Sequence, residues 1–201
     1  MMFEIIEYIG IVAFGVSGFL VGVRHNLDLL GVLISTFLTA LGGGVLRDIL
    51  LNNTPYSFTH SAPALIIFGV TIFMIIFRPY KKSILLEESP FFILSDSLGL
   101  TSFSISGAML AIKSGFNLTG ILTVSFISAV GGGILRDIII NVVPLIFKTG
   151  FYGTIALLVG FIINTLYYFN LINFYTLIAT LIFGTLLRVI AYYKAWSLPK
   201  I

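Results

Sequence analysis

Apolar runs long enough to cross a lipid bilayer follow one another along almost the whole chain. A bilayer core of about 30 Å takes roughly 20 helical residues. Runs near this length cover residues 5–23, 29–51, 91–112, 118–140, 151–169 and 174–193, and a shorter one covers 62–77. Of the 201 residues, 58% are hydrophobic and only 9% are charged, which is too little polar surface for a water-soluble globule. We therefore predict an all-α integral membrane protein with seven transmembrane helices.

Basic residues are distributed unequally between the two sides of this predicted bundle. One side carries Arg24, Arg78, Lys81, Lys82, Lys148, Arg188, Lys194 and Lys200. The other side carries only Lys113. Because Lys and Arg near helix ends remain on the cytoplasmic side, we predict a multi-pass plasma-membrane protein with its N-terminus outside and its C-terminus in the cytoplasm.

An internal repeat indicates how the helices are arranged. Residues 42–49 read Gly-Gly-Gly-Val-Leu-Arg-Asp-Ile, and 89 positions later residues 131–138 read Gly-Gly-Gly-Ile-Leu-Arg-Asp-Ile. This offset predicts a three-helix repeat over residues 3–80, a second over 89–169, and a seventh helix over 171–195. Since three is odd, the second copy starts on the opposite side of the membrane, which predicts an inverted repeat.

The two glycine triplets, Gly42 to Gly44 and Gly131 to Gly133, lie inside the second and fifth spans. Glycine is about 1 kcal/mol less favourable than alanine in a helix, so we predict that both helices break there. A break in hydrocarbon is tolerated only beside protein or a water-filled cavity, so the triplets predict a polar pathway near the midplane. The alternative is close packing between helices.

Four charges follow the triplets: Arg47, Asp48, Arg136 and Asp137. Charged residues inside a span mark ion or substrate pathways by default, so we expect these residues to line or gate a pore. The alternative is that they lie near helix ends and extend to the interface.

The 89-residue offset also relates three pairs that we expect to support the pore. It matches the acids Glu7 and Asp96, which predicts ion pairs of Glu7 with Arg47 and of Asp96 with Arg136. It matches Ser17 with Ser106, whose hydroxyls face a wet lumen or bond their own preceding carbonyls. It matches Phe14 with Phe103, which serve equally well as core or as gate. The members of these pairs are Glu7, Asp96, Ser17, Ser106, Phe14 and Phe103.

Several chemistries are not expected from this sequence. The chain has no cysteine, and its two histidines, His25 and His60, have no partner at metal-ligand spacing. We therefore predict no enzymatic activity, no cofactor and no tightly bound metal. The net charge of +3 is small, so no nucleic-acid partner is expected.

The doubled Gly-Gly-Gly-x-Leu-Arg-Asp-Ile motif, inside a pattern of three plus three plus one spans, resembles the trimeric intracellular cation (TRIC) channel family, in particular its bacterial and archaeal members. Related sequences also carry a glycine-transporter domain name. The resemblance implies a homotrimer in the lipid membrane, with one pore in each protomer, lined by kinked second and fifth spans and permeable to K⁺ and Na⁺. A secondary transporter of a small amino acid such as glycine is the alternative, because broken helices and inverted repeats also occur in transporters.

Overall fold

The computed structural model of the protein describes residues 2–77, 89–148 and 151–197. Every regular element in these ranges is a helix. The helices are α1 (Met2–Arg24), α2 (Leu29–Leu50), α3 (Tyr56–Thr59), α4 (Ala62–Phe77), α5 (Pro90–Lys113), α6 (Leu118–Ile139), α7 (Leu145–Lys148), α8 (Tyr152–Tyr168) and α9 (Phe174–Tyr193). The basic residues Arg78, Lys81, Lys82 and Lys200, used above for orientation, lie outside the described residues, as does the side chain of Lys148.

Five of these helices are long and apolar enough to cross a membrane: α1, α2, α5, α6 and α9. The apolar helices α4 and α8 have 16 and 17 residues, which gives lengths of about 24 to 26 Å at 1.5 Å per residue. The all-α membrane protein is therefore confirmed, while the count of seven spans stays a prediction for α4 and α8. The one-turn helices α3 and α7 were not predicted, because a single turn has no hydropathy signal.

Repeated polar residues set the ends of α2 and α6. Asp28 caps α2 by accepting a hydrogen bond from the backbone N–H three residues later at 2.7 Å, and Asn117 caps α6 in the same way at 2.9 Å. Beyond the opposite ends, Asn52 and Asn141 adopt left-handed φ values of 55° and 57°, a conformation that asparagine tolerates and that stops a helix. The repeat in sequence is thus also a repeat in local structure.

The centre of the bundle is formed by α1, α2, α5 and α6. Helix α1 packs on α2 and α5, and α6 packs on the same two helices. Helix α4 covers α1 and α2, α8 covers α5 and α6, and α9 packs on α5 and α8. At the α1/α5 contact the rings of Phe14 and Phe103 stack at 5.4 Å between centroids. Both are fully buried, so this matched pair is a core contact between the two repeats.

Helices α2 and α6 run without interruption through their glycine triplets. The predicted break at Gly42 to Gly44 and at Gly131 to Gly133 is therefore wrong as an unwinding of the helix, while the kink that the family resemblance implies stays a prediction. The glycines instead allow the two helices to cross at backbone distance. A Cβ on Gly42 would lie 3.1 Å from the Cα of Gly132, and one on Gly132 would lie 2.8 Å from the carbonyl oxygen of Leu38.

The physical reason is that each triplet lies opposite the other. The low helix propensity of glycine is offset at a close crossing, because the backbone of a second helix occupies the space that a side chain would take. Since the backbone hydrogen bonds stay intact, no carbonyl group is freed at the crossing. Close packing, the alternative reading of the triplets, accounts for this part of the structure.

Candidate functional site

The first charged cluster, formed by Glu7, Arg47 and Asp48, lies where α2 ends beside the start of α1. The Arg47 guanidinium is 1% exposed, yet it has a partner on each side. Its Nη2 donates to Glu7 Oε1 at 2.9 Å and its Nε to Asp48 Oδ1 at 2.8 Å. Its Nη1 donates to Ser106 Oγ at 2.5 Å, and that hydroxyl donates to Glu7 Oε2 at 3.0 Å. The predicted Glu7–Arg47 ion pair is confirmed.

Asp48 joins the buried arginine to the loop that follows α2. Its Oδ1 accepts from Arg47, while its Oδ2 accepts from the backbone N–H of Tyr56 at 2.9 Å, at the start of α3. The carboxylate therefore neutralises the arginine and anchors a one-turn helix at the mouth of the cluster. The arginine is held inside the bundle and does not extend to the surface.

The second cluster, formed by Asp96, Arg136 and Asp137, repeats part of this geometry. Asp137 Oδ1 accepts from Arg136 Nε at 2.8 Å and lies 2.7 Å from its Nη2. Asp137 Oδ2 accepts from the backbone N–H of Leu145 at 2.9 Å, which anchors α7 as Asp48 anchors α3. Arg136 Nη1 also donates to Thr39 Oγ1 at 3.4 Å. The Arg-Asp pair is thus a structural unit that the chain uses twice.

Asp96 departs from the symmetry. In the part of the chain that the structure describes, Asp96 forms no ion pair within 4.0 Å of Arg136 but interacts with it electrostatically, so the predicted pairing is an interaction at longer range and not a direct contact. Asp96 instead accepts from Ser17 Oγ at 3.1 Å, and the phenol of Tyr152 lies beside it. Aspartate is one methylene shorter than Glu7, and two guanidinium nitrogens of Arg136 already face Asp137.

The two matched serines face the carboxylates. Ser106 donates to Glu7, and Ser17 donates to Asp96, so neither bonds its own preceding carbonyl. Each serine lies on the helix opposite its acid, across the α1/α5 contact. The pairs therefore link the two repeats.

Arg188 is a residue that the sequence analysis did not place in the site. It was assigned to the cytoplasmic flank with the other basic residues, but it is 4% exposed and lies inside the bundle. It interacts electrostatically with Asp96, as Arg136 also does. The signal that could have found it is its position inside α9, five residues before the last helical residue, Tyr193.

Two cavities open at opposite ends of α1. The first cavity, of about 380 Å³, is lined by Glu4, Glu7, Tyr8, Arg47, Asp48 and Tyr56 among others. The second cavity, of about 60 Å³, is lined by Arg24, His25, Arg136 and Asp137 among others. The 21 residues from Glu4 to Arg24 extend about 30 Å in a helix. Each cluster therefore faces its own cavity, on opposite sides of the bundle.

Aromatic side chains close over the first cavity. The hydroxyls of Tyr8 and Tyr56 are 2.7 Å apart, and the rings of Tyr56 and His60 stack at 4.0 Å. The hydrogen bond with Tyr8 raises the pKa of Tyr56 to about 12, with smaller effects from burial and the carboxylates of Glu4 and Glu7. The phenol thus stays neutral beside an acidic cavity.

Comparisons with known proteins give one consistent family. A family model described as "Glycine transporter" matches residues 4–79 and again residues 93–168, two segments separated by the same 89 positions. The Bacillus subtilis (strain 168) UPF0126 membrane protein YvgT is 34% identical over 200 residues, covering 100% of this chain and 96% of that protein.

Solved structures agree with this result. A structure solved to explain conductance through TRIC cation channels has a TM-score of 0.87 and 35% identity, covering 100% of this chain and 98% of its own. The TRIC trimeric intracellular cation channel orthologue from Rhodobacter sphaeroides has a TM-score of 0.84 and 27% identity, covering 96% of this chain and 98% of its own.

Proposed function

The chain belongs to the family that contains the TRIC cation channels, and from this we propose that it is a channel for monovalent cations, K⁺ and Na⁺. The observation that carries the proposal is the whole-chain match to a structure of a TRIC cation channel, with a TM-score of 0.87 at 35% identity. The duplicated charged clusters support it, because buried charges in a membrane protein typically line ion pathways.

The proposed pathway runs within one protomer from the first cavity to the second, between α1, α2, α5 and α6. The first cluster lines one end of this pathway and the second cluster lines the other. Between them lie the glycine crossing and the Phe14–Phe103 stack, which fill the centre. Packing closes the pathway at its narrowest point. Conduction therefore requires α2 and α6 to separate at Gly43 and Gly132.

Carboxylates supply the attraction for cations in this mechanism. Because α2 and α6 stay helical, backbone carbonyls of these helices do not coordinate the cation in this mechanism. The four buried acids, Glu7, Asp48, Asp96 and Asp137, outnumber the three buried arginines, Arg47, Arg136 and Arg188. The pathway as a whole therefore favours cations over anions. When either arginine exchanges one carboxylate partner for another, the electrostatic potential in the pathway changes. This exchange provides a gating step.

We further propose seven spans arranged as an inverted repeat plus α9, with the N-terminus outside the plasma membrane and the C-terminus in the cytoplasm. The opposite positions of the two cavities along α1 support the inversion, since repeat-related clusters would otherwise open on one side. The apolar surfaces of α4 and α8 support spans for these shorter helices, since a bilayer thins locally around a short hydrophobic stretch.

A homotrimer with one pore in each protomer completes the proposal, since the related structures are TRIC channels. Cross-linking of the purified protein in detergent tests it. Three ladder bands support the trimer, and a single band at every cross-linker concentration contradicts it.

Amino-acid transport, the alternative raised by the sequence, has little support from the site. A substrate carboxylate needs a guanidinium group with donors to spare. Arg47 already binds Glu7, Asp48 and Ser106, and Arg136 already binds Asp137. The two arginines that follow the triplets are therefore occupied by the protein's own acids.

Planar-bilayer recording of the purified protein under a KCl gradient tests the channel. We expect discrete current steps that reverse toward the K⁺ equilibrium potential and do not change when glycine is added. A silent bilayer together with saturable glycine uptake in liposomes would contradict the proposal and favour the transporter.

Two substitutions connect the current to the clusters. Asp48→Asn and Asp137→Asn remove one carboxylate charge each and should lower the cation conductance or the preference for K⁺ over Cl⁻. Asp28→Asn is the matched control, because Asp28 is an exposed cap of α2 and asparagine caps helices equally well. Unchanged currents in the Asp48/Asp137 double variant would remove both residues from the mechanism.

A further inference from the structure

Helix α9 has no counterpart in the repeat, and it brings one buried cation into the bundle. Arg188 is 4% exposed. Its Cζ lies 5.0 Å from the ring centroid of Tyr152 and 5.7 Å from that of Tyr192. Two aromatic faces therefore hold the guanidinium, as cation–π contacts do.

The contacts of Arg188 are unusual for a buried arginine. Its Nε has no hydrogen-bond partner among the described residues, whereas Arg47 and Arg136 both donate from Nε to an adjacent aspartate. Buried donors are normally satisfied, and an exception calls for an explanation. A neutral side chain of similar length would avoid the unsatisfied donor, so stability alone does not account for a charge at this position.

The charges of the two clusters supply an explanation. The first cluster, Glu7, Arg47 and Asp48, has a formal charge of −1, and the matched residues of the second cluster have the same charge. Arg188 interacts with Asp96 of the second cluster, and its addition brings the formal charge there to zero. The repeat-matched residues alone would give the two clusters equal charge, and Arg188 of α9 adds to the inequality that Glu4 at the first cavity and Arg24 at the second already create.

We propose that Arg188 is a positioning residue that increases the electrostatic asymmetry of the permeation pathway, so that the channel rectifies more strongly. This inference rests on the proposed cation channel. The first cavity, with the net negative cluster, concentrates cations, while the neutral second cluster does not. Cation current that enters from the first cavity is therefore larger than current that enters from the second.

The size of the effect follows from the Coulomb interaction. One elementary charge at about 8 Å, at the dielectric constant of water, changes the local cation concentration by about two-fold. A lower effective dielectric constant inside the protein increases this factor. Removal of the Arg188 charge should thus raise the current from the second cavity by about two-fold or more and bring the ratio of currents at opposite voltages toward one.

The experiment measures single-channel current–voltage curves in symmetric KCl. Wild type is compared with Arg188→Gln and Arg188→Lys, and Lys194→Gln is the matched control because it removes an exposed charge at the end of the same helix. We expect Arg188→Gln to rectify clearly less than wild type, and we expect Arg188→Lys and Lys194→Gln to keep the wild-type ratio of currents. A purely structural role of Arg188 would change the folded yield but leave the current ratio unchanged.

A second variant tests the inference if Arg188→Gln does not fold. Asp96→Asn makes the second cluster more positive by one charge and should strengthen the rectification. If the ratio of currents at opposite voltages in folded Arg188→Gln, or in Asp96→Asn, equals that of wild type, the inference is overturned and the proposed channel function still stands. Absence of any wild-type current would instead refute the channel itself, and the inference with it.

Discussion

The glycine crossing gives a prediction that two neighbouring positions of one triplet should test. A Cβ on Gly43 would collide with the carbonyl oxygen of Ser128 and lie 3.1 Å from its carbonyl carbon. A Cβ on Gly44 would lie 3.5 Å from the ring of Phe103, which is ordinary van der Waals contact. We therefore expect opposite effects on stability from Gly43→Ala and Gly44→Ala.

The magnitudes follow from two opposing contributions. Alanine favours the helix by about 1 kcal/mol over glycine, which applies to both variants. Overpacking costs about 1 to 3 kcal/mol, and the upper end applies to Gly43, because a backbone carbonyl cannot rotate away as a side chain can. The expected change in the free energy of unfolding is a loss of about 2 kcal/mol for Gly43→Ala and a gain of about 1 kcal/mol for Gly44→Ala.

Unfolding in mixed micelles with increasing SDS, followed by far-ultraviolet circular dichroism, measures the difference. Gly69→Ala is the control, because nothing lies within 4 Å of a Cβ at that position of α4. Its effect should resemble that of Gly44→Ala. If Gly43→Ala is as stable as Gly44→Ala, α2 and α6 do not cross at backbone distance and the argument fails.

Two further predictions concern the charged clusters and the tyrosine pair. Glu7→Gln breaks a buried ion pair and should lower the free energy of unfolding by about 3 kcal/mol. Asp96→Asn should lower it by about 1 to 2 kcal/mol, because it weakens the charge-assisted hydrogen bonds from Ser17 and Tyr152. Equal losses in the same SDS titration would contradict the asymmetry. The phenol of Tyr56 should titrate near pH 12, so its bond with Tyr8 stabilises the fold fully below pH 10 and is lost as pH rises through 12. Tyrosinate absorbance, taken as wild type minus Tyr56→Phe, should show this midpoint, and Tyr8→Phe should move it toward 10.

Much of the fold follows from local properties of the sequence. Hydropathy alone predicts the runs that become the long helices, since span length depends only on bilayer thickness. The 89-residue offset predicts the Glu7–Arg47 pair, because matched positions indicate which helix ends meet. It overestimates the symmetry at Asp96, where one methylene decides whether the carboxylate reaches its arginine.

Two features depended on tertiary structure that no single segment contains. Whether Gly43 breaks its helix or allows close packing depends on which residues lie opposite it. Here the opposite residues belong to the other triplet, at Gly132. The position of Arg188 depends on how α9 rests against α5 and α8, so a rule based on charge near helix ends assigned it to the wrong environment. Both errors come from treating helices individually.

The location of Arg188 on the last helix has a consequence for biogenesis. Asp96 enters the membrane with α5, but the arginine of α9 is synthesised 92 residues later, roughly 5 to 18 s at ribosomal speed. Until then the charge of Asp96 is offset by Arg136 of α6, without the second contribution from Arg188. A chain truncated before α9 lacks the contribution of Arg188 permanently.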